Sequence, residues 1–251
     1  MEAMAKCMRS ALNGNVRAPV GIVSSMMRLL HLFSGLMCAA LVVVSQSAQA
    51  ARRDPSGVRT ILMLGDSLTD GYGLTRSQAY PALIAEKMRA TGYKAEVINA
   101  GVSGDTTAGG LRRMTKYATQ RIDILVLELG INDAFRGVPV DEMRTNLQAI
   151  IDRARQHNPN VAIVIAGMQL PLYGADAYVR TFGEMYSELA AKNHAALIPY
   201  LLEGVGGDPT LNLSDRIHPN AAGQRILAEN VWRVLEPLLQ KSTTAPTARA
   251  E

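Results

Sequence analysis

The 251-residue sequence predicts an α/β domain built on a parallel β-sheet with helices on both faces. Two observations lead to this prediction. Five short apolar segments, bounded by glycine or asparagine, have the length of buried strands, and stretches with helical spacing alternate with them. The strand segments are mostly apolar along their length, which is typical of strands that are covered on both faces.

The strands and helices are predicted in the following order. The strands are residues 60–64, 95–99, 122–129, 161–166 and 196–200, of which the third is the longest and the fifth the weakest. The helices are residues 78–90, 109–119, 140–156, 175–193 and 220–239. Pro237 has no backbone N–H to donate, so we expect it to bend or fray the last helix.

The first fifty residues have the features of a secretory signal peptide. Arg28 precedes a short apolar region that includes the unbroken run 36–44, and a small residue, Gln and a small residue follow at 48–50. A transmembrane anchor is the alternative, but a span needs about 20 apolar residues and this region is shorter and broken. We predict a signal peptide over 1–50 that is cleaved after Ala50.

The remaining chain is predicted to have three parts. Residues 51–57 form a polar linker, residues 58–240 form one domain, and residues 241–251, rich in Ser, Thr, Ala and Pro, form a flexible tail. The domain is long enough to bury a real core. We expect a periplasmic or secreted protein with no stable membrane anchor after cleavage.

Charge and cysteine content exclude several classes of protein. The net charge is +4, but four basic residues and one acidic residue lie in the first fifty, which leaves 22 basic and 21 acidic residues elsewhere. With no basic stripe interleaved with aromatics, nucleic-acid binding is not expected. Both cysteines, Cys7 and Cys38, also lie in the first fifty residues, which excludes a disulfide framework or a cysteine nucleophile in the domain. The three histidines of the domain, His157, His194 and His218, are too scattered to predict a metal site.

The first strand leads into a candidate nucleophile. Parallel α/β sheets bind ligands beyond the carboxyl ends of their strands, and residues 65–69 (Gly-Asp-Ser-Leu-Thr) occupy that place. Ser67 is either a nucleophile or a helix N-cap, and the segment alone favours neither. Thr69 stands where the α/β-hydrolase elbow needs glycine, which disfavours that fold.

Three further segments carry candidate catalytic groups. Glycines in 99–106 can offer bare backbone N–H groups, and the Asn132 amide offers two donors, although each segment is also typical of an ordinary turn. Asp215 and His218 are three residues apart, so the carboxylate can orient the imidazole. Together these segments supply a nucleophile, a base, its acid partner and oxyanion donors, the groups that acyl transfer requires.

In this order, the four segments resemble the sequence blocks of the SGNH (GDSL) hydrolase family over residues 59–239. The resemblance is closest to its periplasmic branch of thioesterase I, lysophospholipase and arylesterase. It implies a three-layer α/β/α sandwich with a flavodoxin-like, five-stranded parallel sheet. It also implies catalysis without a metal or other cofactor, with Ser67 as nucleophile, His218 as base and Asp215 as its partner.

The resemblance also implies how the substrate is held. The oxyanion hole would consist of the backbone N–H groups of Ser67 and Gly104 and the Asn132 side chain. Residues 168–174 resemble the mobile substrate loop of the branch but are about one residue short, and a plain strand-to-helix connection is the alternative. Ile131 and Arg216 stand where the branch often has glycine. The candidate substrate-binding side chains are Leu68, Ile131, Leu170, Pro171 and Ile217.

The predicted function is hydrolysis of a small ester, a thioester or a lysophospholipid through an acyl-enzyme. A carbohydrate O-deacetylase on the same scaffold is one alternative. A binding protein that has lost catalysis is another, which the complete set of catalytic groups disfavours. We expect Asp66, Asp105 and Asp133 to brace the loops rather than to react.

Overall fold

The computed structural model describes residues 57–170 and 177–241. Its sheet has five strands in the order β2-β1-β3-β4-β5, and every neighbouring pair is parallel. The strands are β1 (Arg59–Gly65), β2 (Ala95–Gly101), β3 (Ile124–Leu127), β4 (Ala162–Ala166) and β5 (Ala196–Ile198). The chain runs from β1 outward to β2 and returns to β3 on the other side of β1. The strand order therefore reverses between β1 and β3, where open α/β sheets bind their ligands.

The helices cover both faces of the sheet. They are α1 (Ser67–Asp70), α2 (Tyr80–Ala90), α3 (Thr107–Ala118), α4 (Ile131–Phe135), α5 (Val140–His157), α6 (Ala177–Asn193) and α7 (Ala221–Lys241). One 3₁₀ turn, Arg76–Gln78, precedes α2. Helix α2 packs against α7 in one layer, whereas α3, α5 and α6 pack in the other. The predicted three-layer α/β/α sandwich is confirmed.

The hydrophobic core lies on both faces of the central strands. All four residues of β3 and the last five of β1 are buried, which is why both segments are continuously apolar in sequence. Helix α5 turns one apolar stripe toward them, including Met143, Leu147 and Ile151. Burying one such side chain stabilises the fold by about 1.5–3 kcal/mol, and the packed layers fix the strand ends that carry the site.

Several element boundaries differ from the predictions, for physical reasons. Strand β3 ends at Leu127 rather than at residue 129, and the chain then turns into the site. Strand β5 ends at Ile198 because Pro199 has no N–H for the next ladder hydrogen bond. Helix α7 continues past Pro237 to Lys241, so the proline does not terminate it.

Two short helices were not predicted. Helix α1 has four residues and α4 has five, which is too short for helical periodicity to reveal them. They follow β1 and β3, the two strands beside the reversal of strand order. Their first turns therefore bring Ser67 and Asn132 to the same edge of the sheet.

Some predictions fall on residues outside the described ranges. The predicted signal peptide, most of the linker, Pro171 and the tail beyond Lys241 are among them. Across the described ranges, no helix is both long enough and apolar enough to span a membrane.

Candidate active site

Ser67, His218 and Asp215 form one chain of hydrogen bonds at the carboxyl edge of the sheet. His218 Nε2 lies 3.0 Å from Ser67 Oγ, and His218 Nδ1 lies 2.7 Å from Asp215 Oδ2. A base within this distance of a hydroxyl can take its proton as the oxygen attacks. The structure thus brings together the three residues predicted to act as nucleophile, base and acid partner.

Ser67 is positioned by a direct passage from strand to helix. It is the first residue of α1, and the Asp66 side chain caps that helix by accepting the Leu68 N–H at 3.0 Å. Strand β2 approaches α1 so closely that a Cβ on Gly101 would overlap the Asp70 backbone nitrogen. These contacts fix Ser67, which is only 7% exposed.

Asp215 is held ionised by its own loop. Its Oδ1 accepts the backbone N–H groups of His218 at 3.0 Å and Ile217 at 2.9 Å, while its Oδ2 faces the imidazole. These backbone hydrogen bonds, with a smaller contribution from the His218 side chain, lower the pKa of Asp215 to about 2. A carboxylate at Nδ1 favours the tautomer with its proton on that nitrogen, which leaves Nε2 free to accept a proton from Ser67.

The Tyr72 ring packs against the His218 imidazole. The ring centroids are 4.3 Å apart, and the two planes are inclined by 38°. Tyr72 follows α1 directly after Gly71, a helix C-cap with a φ of +83°. The turn that presents Ser67 therefore also supplies a surface that limits rotation of the imidazole.

The three groups predicted to form the oxyanion hole each keep a hydrogen that a ligand could accept. Within the described residues, the backbone N–H groups of Ser67 and Gly104 have no hydrogen-bond acceptor. Gly104 has a φ of +77°, and the space where its Cβ would lie is open. Asn132 Nδ2 donates one hydrogen to Asp66 Oδ2 at 3.0 Å, which leaves its second hydrogen for a ligand.

The three aspartates expected to brace the loops all do so. Asp66 joins α1 to Asn132, as described above. Asp105 accepts a hydrogen bond from Arg113 Nε at 2.7 Å, and Arg113 also donates to the backbone oxygens of Ala100 and Gly65, which ties the ends of β2 and β1 together. Asp133 accepts the backbone N–H and the hydroxyl of the first residue of α3, at 2.8 and 2.6 Å. In the part of the chain that the structure describes, no group of three or more His, Cys, Asp or Glu side chains is placed to hold a metal ion.

Comparison with known proteins identifies the family. The GDSL-like Lipase/Acylhydrolase family model matches residues 63–226, which include the Ser67 turn, both predicted oxyanion segments and the Asp215–His218 loop. The chain belongs to this family. It is similar to Esterase TesA of Pseudomonas aeruginosa, with 40% identity over 203 residues that cover 80% of this chain and 96% of the relative.

Two further comparisons agree with this membership of the GDSL-like family. The chain is 34% identical to the Escherichia coli K12 protein named thioesterase 1/protease 1/lysophospholipase L1, over 181 residues that cover 72% of this chain and 85% of that one. A crystal structure of TesA matches with a TM-score of 0.68 and 39% identity, and the match covers 72% of this chain and 99% of that structure. The resemblance inferred from the sequence motifs is confirmed.

The two positions where the GDSL branch often has glycine behave differently in this chain. Arg216 has a φ of +60°, a left-handed conformation that glycine adopts without strain and arginine does not. Ile131 is the first residue of α4 and packs partly against the core. Its side chain is therefore directed partly inward, whereas Arg216 is exposed within the Asp215–His218 loop.

The predicted substrate-binding side chains are not equally accessible. Ile217 is 54% exposed next to His218, and Leu170 is half-buried at the end of the described segment. Leu68 is only 3% exposed and packs into the core, because α1 turns it inward. We therefore do not include Leu68 in the surface proposed to contact the substrate.

Sequence reasoning missed four residues at the site. Tyr72, Val102 and Phe135 are exposed apolar residues close in sequence to Ser67, Gly104 and Asn132, but isolated apolar residues give no recognisable signal. Glu128 is fully buried directly after β3. Its signal was present, because a carboxylate inside the apolar segment 122–129 is unusual in a strand covered on both faces.

Proposed function

We propose that this protein is a serine ester hydrolase that cleaves carboxylic esters or thioesters through an acyl-enzyme. The observation that carries the proposal is the continuous contact from Ser67 Oγ to His218 at 3.0 Å and on to Asp215 at 2.7 Å. The names of its relatives, esterase and thioesterase 1/lysophospholipase L1, support the same class of reaction.

Acylation begins when Ser67 Oγ attacks the substrate carbonyl carbon and His218 Nε2 takes the hydroxyl proton. Negative charge then develops on the carbonyl oxygen. The N–H groups of Ser67 and Gly104 and the Asn132 amide stabilise it, and a single such donor is typically worth about 2.7–4 kcal/mol. Protonated His218, stabilised by ionised Asp215, donates its proton to the departing alcohol or thiol.

Deacylation uses the same groups a second time. His218, neutral again after the leaving group has departed, removes a proton from water as the water attacks the acyl-serine carbonyl. The same donors hold the oxyanion, and Ser67 Oγ recovers its proton from His218 as the acid product forms. Every proton in this cycle moves between Ser67, His218, water and substrate, so the described residues are sufficient for it.

The surface around the catalytic groups favours an apolar acyl or aryl substrate. Four large hydrophobic residues of the described chain are exposed: Tyr72, Val102, Phe135 and Ile217. Tyr72 and Ile217 adjoin His218, and Val102 donates its N–H to the Gly65 oxygen. Phe135 precedes Arg136, which donates to the Gly104 oxygen at 2.9 Å. An apolar rim of this kind fits aryl, acyl-thioester or lysophospholipid substrates better than an acetylated sugar, which remains the alternative substrate.

The proposal includes export from the cytoplasm. The cation, the short apolar run and the small-residue site in residues 1–50 support a signal peptide that is cleaved after Ala50. N-terminal sequencing of protein purified from cell fractions is expected to recover a periplasmic or secreted chain that begins at Ala51. Full-length chain in the cytoplasm or membrane would contradict this part.

The catalytic proposal is tested by Ser67→Ala. We expect turnover of an aryl ester to fall by about 10⁴–10⁶, because the nucleophile is lost while the oxyanion donors remain. An organophosphonate should add covalently to the wild-type chain and not to this variant, as measured by intact mass. Ser187→Ala, on the exposed face of α6, is the matched control and should react and turn over normally. Near-wild-type turnover in Ser67→Ala would refute the proposal.

A further inference from the structure

Glu128 is a buried carboxyl group behind the nucleophile turn. It is fully buried directly after β3, and its Oε2 accepts two hydrogen bonds. One comes from the Asp66 backbone N–H at 3.0 Å and the other from the Thr69 hydroxyl at 2.8 Å. Because these two residues lie on either side of Ser67, Glu128 holds the turn on both flanks of the nucleophile.

The second oxygen of Glu128 reveals its charge state. Within the described residues, no N–H or hydroxyl group donates to Oε1, which is buried. An ionised carboxylate would leave a charged oxygen unpaired in the interior, which is a costly arrangement. A protonated carboxyl avoids this cost, because Oε2 keeps both donors while Oε1 carries the hydrogen.

The neighbouring Asp66 carboxyl supports the same assignment. It is also fully buried, but each of its oxygens accepts a hydrogen bond: Oδ1 from the Leu68 N–H and Oδ2 from the Asn132 amide, both at 3.0 Å. The interaction between the two carboxyl groups lowers the pKa of Asp66 and raises that of Glu128. Because both Asp66 oxygens already accept hydrogen bonds, the proton is assigned to Glu128.

The other groups that face Glu128 supply no positive charge. In the described part of the chain, neither Glu128 nor Asp66 forms an ion pair with lysine or arginine. The remaining titratable neighbours are Tyr80 and Tyr186, and burial raises the pKa of both, so they stay neutral. His218 acts on Asp66 and favours its ionised form. Burial and the Asp66 charge together raise the pKa of Glu128 well above its ordinary value.

We propose that Glu128 is a positioning residue that stays protonated at neutral pH and fixes both Ser67 and, through Asp66, the Asn132 amide. Its Oε2 anchors the turn around Ser67. Its Oε2 also holds the Asp66 backbone, and the Asp66 carboxylate in turn holds one Asn132 hydrogen and leaves the other for the substrate. This inference rests on the proposed function, because it assigns Glu128 to the same esterase site.

A pair of variants tests the positioning role. Glu128→Gln is neutral and preserves an acceptor for the Asp66 N–H and the Thr69 hydroxyl, so it should retain most of the wild-type kcat. Glu128→Met has similar volume but no hydrogen bonds, and we expect kcat to fall by up to about 10²-fold while KM changes little. Equal losses of kcat in both variants, or a loss confined to KM, would overturn the positioning role.

Infrared difference spectroscopy tests the protonation state independently of activity. The carbonyl stretch of a buried carboxylic acid, resolved from that of a carboxylate, should be present in the wild type at neutral pH and absent in Glu128→Gln. Asp133→Asn, which changes a carboxyl group that is 1% exposed in α4, is the matched control and should keep the band. A band that Glu128→Gln does not remove would overturn the proposal.

Two additional measurements keep the outcomes separate. If circular dichroism shows that Glu128→Met does not fold, Thr69→Val replaces it. This variant removes one of the two hydrogen bonds to Oε2 at equal volume, so kcat should fall while KM stays unchanged. The infrared band should also persist in Ser67→Ala. If Ser67→Ala stays active, the proposed function fails while the protonation assignment stands, and if only the band is missing, the assignment fails alone.

Discussion

Two carboxyl sites flank Ser67, and the structure drives their charge in opposite directions. Asp215 lies on an exposed loop, where backbone N–H groups lower its pKa to about 2. Asp66 and Glu128 are fully buried, and loss of solvent raises the pKa of Asp66 to about 6 and raises that of Glu128 well above its ordinary value. The same functional group is therefore a fixed anion on one side of the nucleophile and part of a proton-sharing pair on the other.

The comparison shows that one carboxyl group supplies the charge beside His218, while other carboxyl groups fix the turn around Ser67. Asp215 must respond to a proton that arrives on His218 in every cycle, so an ionised carboxylate with access to solvent is useful there. The buried pair does not touch the reacting atoms. It fixes the backbone on both sides of Ser67 and the Asn132 amide, and a neutral acid does this without a second buried charge.

The largest effect is expected on the exposed side. Asp215→Asn should lower kcat by about 10⁴, because an amide at this position favours the imidazole tautomer that cannot accept the Ser67 proton. Its rate–pH profile should also change, because the anion that stabilises protonated His218 is gone. Steady-state kinetics on one aryl ester across pH measures both effects.

Asp208 provides the control for Asp215. It is another exposed aspartate whose pKa is lowered by hydrogen bonds, here from the Thr210 hydroxyl and N–H at 2.7 and 2.8 Å. It makes no contact with His218 in the structure. Asp208→Asn should therefore leave kcat and the pH profile unchanged, and an equal loss in both variants would show that Asp215 acts only by holding its loop.

The next effect concerns the donor that the buried side positions. Asn132→Ala removes an amide that acts mainly once charge develops on the carbonyl oxygen. We expect a loss of about 2.7–4 kcal/mol of transition-state stabilisation, seen in kcat and little in KM. The pH profile should keep its wild-type shape, because His218 and Asp215 are intact. A shifted profile in Asn132→Ala together with an unshifted one in Asp215→Asn would reverse the assigned roles.

The sequence predicts the exposed side of the site better than the buried side. Ser67, Asn132, Asp215 and His218 lie in short motifs after strands or before the last helix, and a parallel sheet brings such positions to one edge. The five-stranded fold follows from the same apolar segments. The role of Glu128 depends instead on pairing with Asp66, 62 residues away, and on complete burial. The apolar segment around Glu128 signals its burial, but its pairing with Asp66 is not encoded in a local pattern, and α1 and α4 are too short to produce one.

A third prediction concerns the stability of the buried pair against pH. The ordinary pKa of Asp66 is 3.8 and its folded value is about 6, so its contribution to stability is fully present below 3.8 and is lost as pH rises through about 6. Glu128, with an ordinary value of 4.5, acts in the same direction, at up to about 1.4 kcal/mol per pH unit. Glu128→Gln removes the contribution of Glu128 to this pH dependence. As pH rises above 4.5, the free energy of unfolding of Glu128→Gln should therefore increase relative to that of the wild type.

Chemical denaturation at several pH values measures that trend, and Asp215 gives the opposite sign for comparison. Its folded pKa lies below its ordinary value of 3.8, so its contribution is present above 3.8 and is lost as pH falls toward about 2. The stability of Asp215→Asn should therefore approach that of the wild type in acid. If the free energy of unfolding depended on pH in the same way in Glu128→Gln and the wild type, the raised pKa of Glu128 would be contradicted.

The smallest effect is expected for Arg216, which tests how tolerant the exposed loop is. Arg216→Gly relieves the left-handed strain, worth about 1–2 kcal/mol, but increases the freedom of the unfolded chain by about 0.5–1 kcal/mol. The free energy of unfolding should therefore rise by about 0–1.5 kcal/mol. Because the backbone N–H groups that hold Asp215 belong to Ile217 and His218, kcat and the pH profile should be unaffected.

Arg216→Val is the matched contrast, since a β-branched residue disfavours this conformation more strongly than arginine does and should destabilise the loop. If glycine instead lowered kcat as asparagine does at Asp215, the arginine side chain itself would belong to the catalytic site, and the exposed loop would be no more tolerant than the buried turn.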